Sequence, residues 1–173
     1  EYLTNHLQRN IVDVCIVSRN SAGRIKVIVH TASEKQVNDM VLKPDDFTEQ
    51  AQEVIGRSQE VVRRYGHAQW DVEHMLFALL EREQGVPAEV LRKLGVSVTK
   101  MRDRLHEHLE LGPRVENQSN QIFVSPRAAA ALERAKQEAE RLNDDFITSE
   151  HLLVAIVQED SGDAATVLSE FGV

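Results

Sequence analysis

The sequence predicts a mainly α-helical protein made of two related four-helix repeats, preceded by a small α/β extension. Three observations carry this. Residues 47–96 align with residues 124–173 without a gap at an offset of 77, and 13 of the 50 pairs are identical. The apolar positions coincide: Phe47, Ala51, Val54, Ile55, Val62 and Tyr65 match Val124, Ala128, Ala131, Leu132, Ala139 and Leu142. Residues 1–45 differ from everything after them, and the runs 11–17 and 24–30 within them alternate in the manner of strands. A duplication of this kind implies two similar units about a pseudo-twofold axis, with equivalent pockets on each.

The elements follow in order. Residues 1–9 suit a short helix. Residues 11–17 and 24–30 are β-branched runs joined by Asn20-Ser21-Ala22-Gly23, a turn sequence, and predict a hairpin with one apolar face. Residues 33–42 predict a second short helix capped by Ser33. A two-stranded hairpin is marginal alone. It must pack on the rest, pair with a second copy through its edges, or belong to a larger upstream unit.

The first repeat spans 46–110. Phe47, Ala51, Val54, Ile55, Ser58, Val62 and Tyr65 have helix spacing. Asp71 caps a helix over 72–83, stopped by Gly85. A short helix over 88–94 ends at Gly95, and Ser97 caps a fourth bearing Val98, Met101, Leu105 and Leu109. Residues 111–123 are polar and read as a linker. The second repeat, 124–173, restarts at Val124-Ser125-Pro126, with Ser125 as cap and Pro126 in the first turn. It stops at the equivalent of Val96, so a final helix is expected just downstream. The domains are thus 1–45, of unknown role, and 46–173.

Composition excludes several classes. No apolar run reaches the ~18 residues of a membrane span. A formal charge of −8 disfavours nucleic acid and anionic membrane surfaces. The single Cys15 permits no internal disulfide and fits the reducing cytoplasm. No Gly-x-x-x-x-Gly-Lys-Ser/Thr phosphate loop occurs, and no Cys/His set has zinc spacing. His106 and His108, two apart on a helix, diverge. His74 and His151 have apolar helical neighbours and read as packing histidines. No catalytic residue, metal or cofactor is therefore expected in this chain.

The repeated blocks carry a resemblance. Phe47-Thr48-Glu49-Gln50-Ala51 and Val124-Ser125-Pro126-Arg127-Ala128 are each followed by a Glu-His segment. These are Glu73-His74-Met75-Leu76-Phe77-Ala78-Leu79-Leu80 and Glu150-His151-Leu152-Leu153-Val154-Ala155-Ile156-Val157. Together with Gly85-Val86-Pro87-Ala88-Glu89-Val90-Leu91, residues 46–173 resemble the N-terminal domain of the Clp-type AAA+ unfoldases, the ClpC/ClpB/ClpA group, with ClpC favoured. The resemblance implies an all-helical double repeat that receives unfolded or marked protein substrates or docks adaptor proteins. It implies a parent forming a hexameric ring, using ATP and Mg, with or without a peptidase, in protein quality control.

It also implies a site. The ClpC branch binds phosphoarginine through these glutamates and a hydroxyl near the domain start. Carried over, the pairs are Thr48 with Glu73, and Ser125 with Glu150. A carboxylate grips a guanidinium bidentately, and a helix start holds a phosphate. The alternative is that both glutamates only favour the helix macrodipole, worth ~0.3–1 kcal/mol, and that the hydroxyls are ordinary caps. Gly-Thr precedes Glu-His in ClpC. Here the first copy has Asp71-Val72, which repels phosphate and offers no hydroxyl, and the second has Thr148-Ser149. The second pocket is the better candidate. An apolar groove for unfolded segments is expected from Leu79, Leu80, Val86, Val90, Ile156 and Val157. A further reading is an interaction module in which the hairpin drives self-association.

Overall fold

The computed structural model describes the backbone of residues 14–19 and 25–30 and the whole of 42–115 and 122–173. The helix expected over 1–9, all but Leu42 of that expected over 33–42, the turn at 20–23 and Cys15's side chain lie outside the described residues. The first repeat contains α1 (Glu49–Tyr65), α2 (Val72–Glu81), α3 (Val86–Lys93) and α4 (Val98–Leu111). The second contains α5 (Pro126–Leu142), α6 (Ser149–Val157) and α7 (Gly162–Glu170). Four strands, β1 (Val14–Arg19), β2 (Ile25–His30), β3 (Gln69–Trp70) and β4 (Ile122–Val124), form one sheet in the order β2-β1-β4-β3.

The expected caps form. Thr48 Oγ1 accepts from Ala51 N at 3.3 Å, and Ser125 Oγ from Ala128 N at 3.0 Å. Asp71 caps α2 through Val72 N at 2.8 Å, and Ser97 caps α4. Each such cap is worth about 1 kcal/mol. The long helices close on equivalent residues, Gly66 (φ 73°) and Asn143 (φ 58°), both left-handed, a conformation glycine and asparagine tolerate best. The core is one continuous cluster drawn from both repeats, including Val54, Met75, Leu76, Leu105, Leu132, Leu152 and Ile156.

The sheet departs from the sequence expectation. Residues 122 and 123, read as the end of a polar linker, begin β4. This strand pairs antiparallel with β1 (Cys15↔Val124, Ile16↔Phe123, Val17↔Ile122) and parallel with β3. Ile122 and Val124 point into the core while Phe123 is partly exposed, the alternation of a half-buried strand. The hairpin thus joins the repeat domain through backbone pairing with the segment between the repeats. Its own strands run 14–19 and 25–30, from Val14↔His30 to Arg19↔Ile25.

Trp70 ends β3 and is fully buried. Its Nε1–H donates to Ser58 Oγ at 2.8 Å, and that hydroxyl donates to Ile55 O at 2.7 Å. Ser58 is the hydroxyl that makes an indole tolerable inside the core. Ser58→Ala strands the indole N–H without water, and urea unfolding should show a loss of about 1–3 kcal/mol. A loss below ~0.5 kcal/mol, the usual range of an inconsequential surface change, would show that the bond is dispensable.

Candidate functional site: two pockets between the repeats

The pockets are built by an exchange between repeats. Thr48 N donates to Ile147 O at 3.0 Å, and Phe47 bridges Ile147 in parallel. The equivalent contacts, 77 residues on and back, are Ser125 N to Trp70 O at 2.9 Å and the Trp70↔Val124 parallel pair. The start of α1 therefore lies beside the start of α6, and the start of α5 beside that of α2. The expected pairs change partners: Thr48 goes with Glu150, and Ser125 with Glu73. Sequence spacing within one repeat gives no hint of this, because the partner is supplied by tertiary pairing.

The two pockets differ in content. In the Ser125–Glu73 pocket, Arg127 from the first turn of α5 reaches across to α2. Its Nη2 donates to Asp71 Oδ2 at 2.6 Å and to the Glu73 oxygens at 3.2 and 3.3 Å. Its Nη1 donates to Ser161 O at 3.0 Å. One guanidinium thus serves two carboxylates, and Asp71 holds the shorter bond. Burial, together with the Asp71 charge, pushes the Glu73 carboxyl up to about 7, against its own backbone bond and the Arg127 charge. Burial works to lower the Arg127 pKa but is outweighed by the Asp71 bond and the Glu73 charge, so Arg127 is raised.

In the Thr48–Glu150 pocket, the counterpart of Arg127 is Gln50, which is exposed. Thr148 stands where Asp71 stands and Ser149 where Val72 stands. Ser149 Oγ donates to Glu150 Oε2 at 2.9 Å. The pocket combines one carboxylate with hydroxyls and the backbone N–H groups at the starts of α1 and α6. Such a helix start attracts an anion, and the carboxylate attracts a cation.

The histidines after the glutamates complete capping boxes. Asp71 N donates to His74 Nδ1 at 2.9 Å, which puts the His74 proton on Nε2, facing His67 Nδ1 at 2.7 Å. The remaining His67 proton, on Nε2, points at Leu109 O at 2.9 Å. The chain of bonds ties α2 to α4. Burial, then the neighbouring His67, pulls His74 down to about 4. His151 accepts from Thr148 N at 3.1 Å and faces Asp144 Oδ2 at 3.2 Å. His106 Nδ1 meets the Tyr65 hydroxyl at 2.5 Å, and His108 Nδ1 meets Asp163 Oδ1 at 3.0 Å, so the two do diverge. Among the described residues no three His, Cys, Asp or Glu side chains converge as for a metal ion.

The expected apolar groove is not formed by its six residues. Leu79, Leu80 and Ile156 are core residues, at 2%, 1% and 0% exposure. Their helices α2 and α6 pack against one another in the middle of the domain, which leaves these faces no solvent. Val86, Val90 and Val157 are exposed, at 44%, 40% and 40%.

The Clp repeat (R) N-terminal domain model matches residues 46–171. The chain belongs to this family. The Clp match covers both repeats and both pockets. The domain is 34% identical over 127 residues to the chaperone protein ClpB of Oceanobacillus iheyensis, covering 73% of this chain and 15% of that one. It is 33% identical, with the same two coverages, to the negative regulator of genetic competence ClpC/MecB of Bacillus subtilis. The chain thus spans about a seventh of the length of these relatives. In structure, the Hsp104 N-terminal domain from Candida albicans superposes with a TM-score of 0.67 at 20% identity, covering 74% of this chain and 83% of that one. The Clp N-domain is mostly helical, as its sequence predicts, and no described helix is long and apolar enough to cross a membrane.

The residues that sequence reasoning missed are Arg127 and Asp71 acting together. The available signal was a charge pattern across the duplication. Arginine at 127 accompanies Asp71 and Glu73, while at the equivalent positions glutamine at 50 accompanies Thr148 and Glu150.

Proposed function

We propose that this Clp N-terminal domain captures marked protein substrates for an ATP-driven unfoldase, at a phosphoarginine-type pocket formed by Thr48 and Glu150. The observation that carries the reading is the comparison of the two pockets. The Ser125–Glu73 pocket holds an arginine guanidinium on its glutamate, which is a template for what its counterpart takes. In the counterpart, Thr148 replaces the acidic Asp71, so the repulsion that would reject a phosphoryl group is removed. Gln50 is exposed and brings no guanidinium of its own to Glu150, so that carboxylate is left for a side chain from outside. Glu150 then takes the guanidinium, and the N–H groups and hydroxyls at the α1 and α6 starts take the phosphoryl oxygens. The parent would form a hexameric ring in the cytoplasm, use ATP and Mg in its ATPase segments, and pass substrates on with or without a peptidase. Adaptor proteins would dock on the same domain.

Calorimetric titration of phosphoarginine tests this. Saturable heat should appear with the unaltered domain and weaken at least tenfold in Glu150→Ala, since truncating one partner of a desolvated charged pair costs about 2–5 kcal/mol. Glu73→Ala should leave it in place. No heat at millimolar ligand, or equal loss in both variants, would sink the assignment.

One observation favours a second reading, self-association through the hairpin. β4 occupies one edge of β1, and β2 is one of the two outer strands of the sheet among the described residues. A dimer that disappears when residues 1–45 are deleted would support it.

A further inference from the structure

We propose that the Asp71–Glu73 pocket is a guanidinium-binding site that the chain fills with its own Arg127, so that the domain carries one closed pocket and one open one. The inference rests on the reading above only in treating the Thr48–Glu150 pocket as the open counterpart, and its test does not depend on phosphoarginine.

Three observations converge. Arg127 is held by a set of acceptors that a separate ligand would require: Asp71 Oδ2, both Glu73 oxygens and the Ser161 carbonyl. The Glu73 side chain is only 12% exposed, and so lies inside the pocket. Finally, the guanidinium occupies the space beside Gly162 that a side chain there would fill. A Cβ on Gly162 would lie 1.4 Å from Arg127 Nη1 and 2.5 Å from Cζ, so a side chain there would displace the guanidinium from its present position. Its φ of +84° also suits glycine. At the equivalent Gly85 the backbone is ordinary (φ −81°), and the atoms nearest a Cβ belong to Arg82 and Pro87, with no guanidinium among them. The α7 start is therefore shaped around an arginine, and the α3 start is not.

A surface ion pair would not need this. It gains modest energy in water and requires neither two desolvated carboxylates nor a backbone carbonyl. The arrangement is that of a bound ligand that happens to be covalently attached. Arginine side chains of substrates are excluded here as long as Arg127 is in place, because the local concentration of a tethered group far exceeds that of a dissolved one.

Chemical rescue provides the test. Arg127→Gln copies the residue that the other repeat carries at this position, and Glu150→Ala is used as background to silence the open pocket. Methylguanidinium chloride is titrated at pH 8, with methylammonium chloride at matched ionic strength as control, and read by calorimetry and thermal melting. The Arg127→Gln protein should bind methylguanidinium one-to-one, at least tenfold tighter than methylammonium, with a saturable rise in Tm. The protein retaining Arg127 should show no such binding, and adding Glu73→Gln should abolish it. A folded Arg127→Gln protein that ignores methylguanidinium would overturn the proposal and leave Arg127 as a structural ion pair. So would binding that survives Glu73→Gln. Absence of phosphoarginine binding at Glu150 would leave this result untouched.

Discussion

Trp70→Ala should destabilise the domain by about 3–5 kcal/mol, the range for removing a large aromatic from a close-packed interior. Trp70 is fully buried, and the hole left by its ring is bordered by α1, whose Ser58 then loses the donor it receives. At this size a loss of that magnitude lowers Tm by roughly 10 °C. The effect extends to the pockets, because Trp70 O accepts from Ser125 N and so positions the start of α5 beside α2. Circular dichroism melts and urea titration of the variant check the number. Trp70→Phe, which keeps most of the volume but removes the N–H, should lie well below it. A Trp70→Ala loss under ~1 kcal/mol would mean that the site collapses freely and that the tryptophan does not hold the repeats together.

Glu73→Gln should remove most of one component of the pH dependence of stability. Folding raises the Glu73 carboxyl from an ordinary value of 4.5 to about 7. Between those values the folded chain holds a proton that the unfolded chain has released. Stability therefore falls as pH rises through this window, and the full cost, on the order of 3 kcal/mol, is present above it. Glutamine keeps an acceptor for Arg127 without the second negative charge. The difference in unfolding free energy between Glu73→Gln and the unaltered domain should grow from near zero at pH 4.5 to its maximum by pH 8. His74 acts in the opposite direction. Its pKa is depressed to about 4, so its contribution is lost as pH falls from 6.5 towards 4. It is common to both proteins and cancels in the difference. Parallel pH profiles for the two proteins would refute the charge crowding argued here.

Much of the fold is legible in the sequence because the signals are local. Thr48, Asp71, Ser97 and Ser125 announce helix starts through their own side chains, and the spacing of Val54, Ile55, Val62 and their counterparts sets the buried faces. The duplication supplies the symmetry. What the sequence hides is whatever depends on which surfaces meet. Nothing near Thr48 says that its neighbour is Ile147 and not Trp70. Leu79 and Ile156 look equally suited to a groove or a core, and only the packing of α2 on α6 decides. Ile122-Phe123-Val124 is too short for periodicity to separate strand from loop, and β1 completes it. The pairing of Arg127 with Asp71 and Glu73 spans more than 50 residues, beyond any local pattern.

The exchange of partners between repeats has a consequence for how such a site can diverge. Each pocket takes one helix start from each half of the chain. Were the halves separate and identical, every assembled pair would present two indistinguishable pockets, and a residue that plugs one would plug both. Placed in tandem on one chain, the halves can be edited independently. With the closed and open pockets proposed above, arginine at 127 and glutamine at 50 would be such an edit, turning a two-valent symmetric object into one with a distinct front and back. On the proposed reading, a bound partner would then meet this domain in a single orientation.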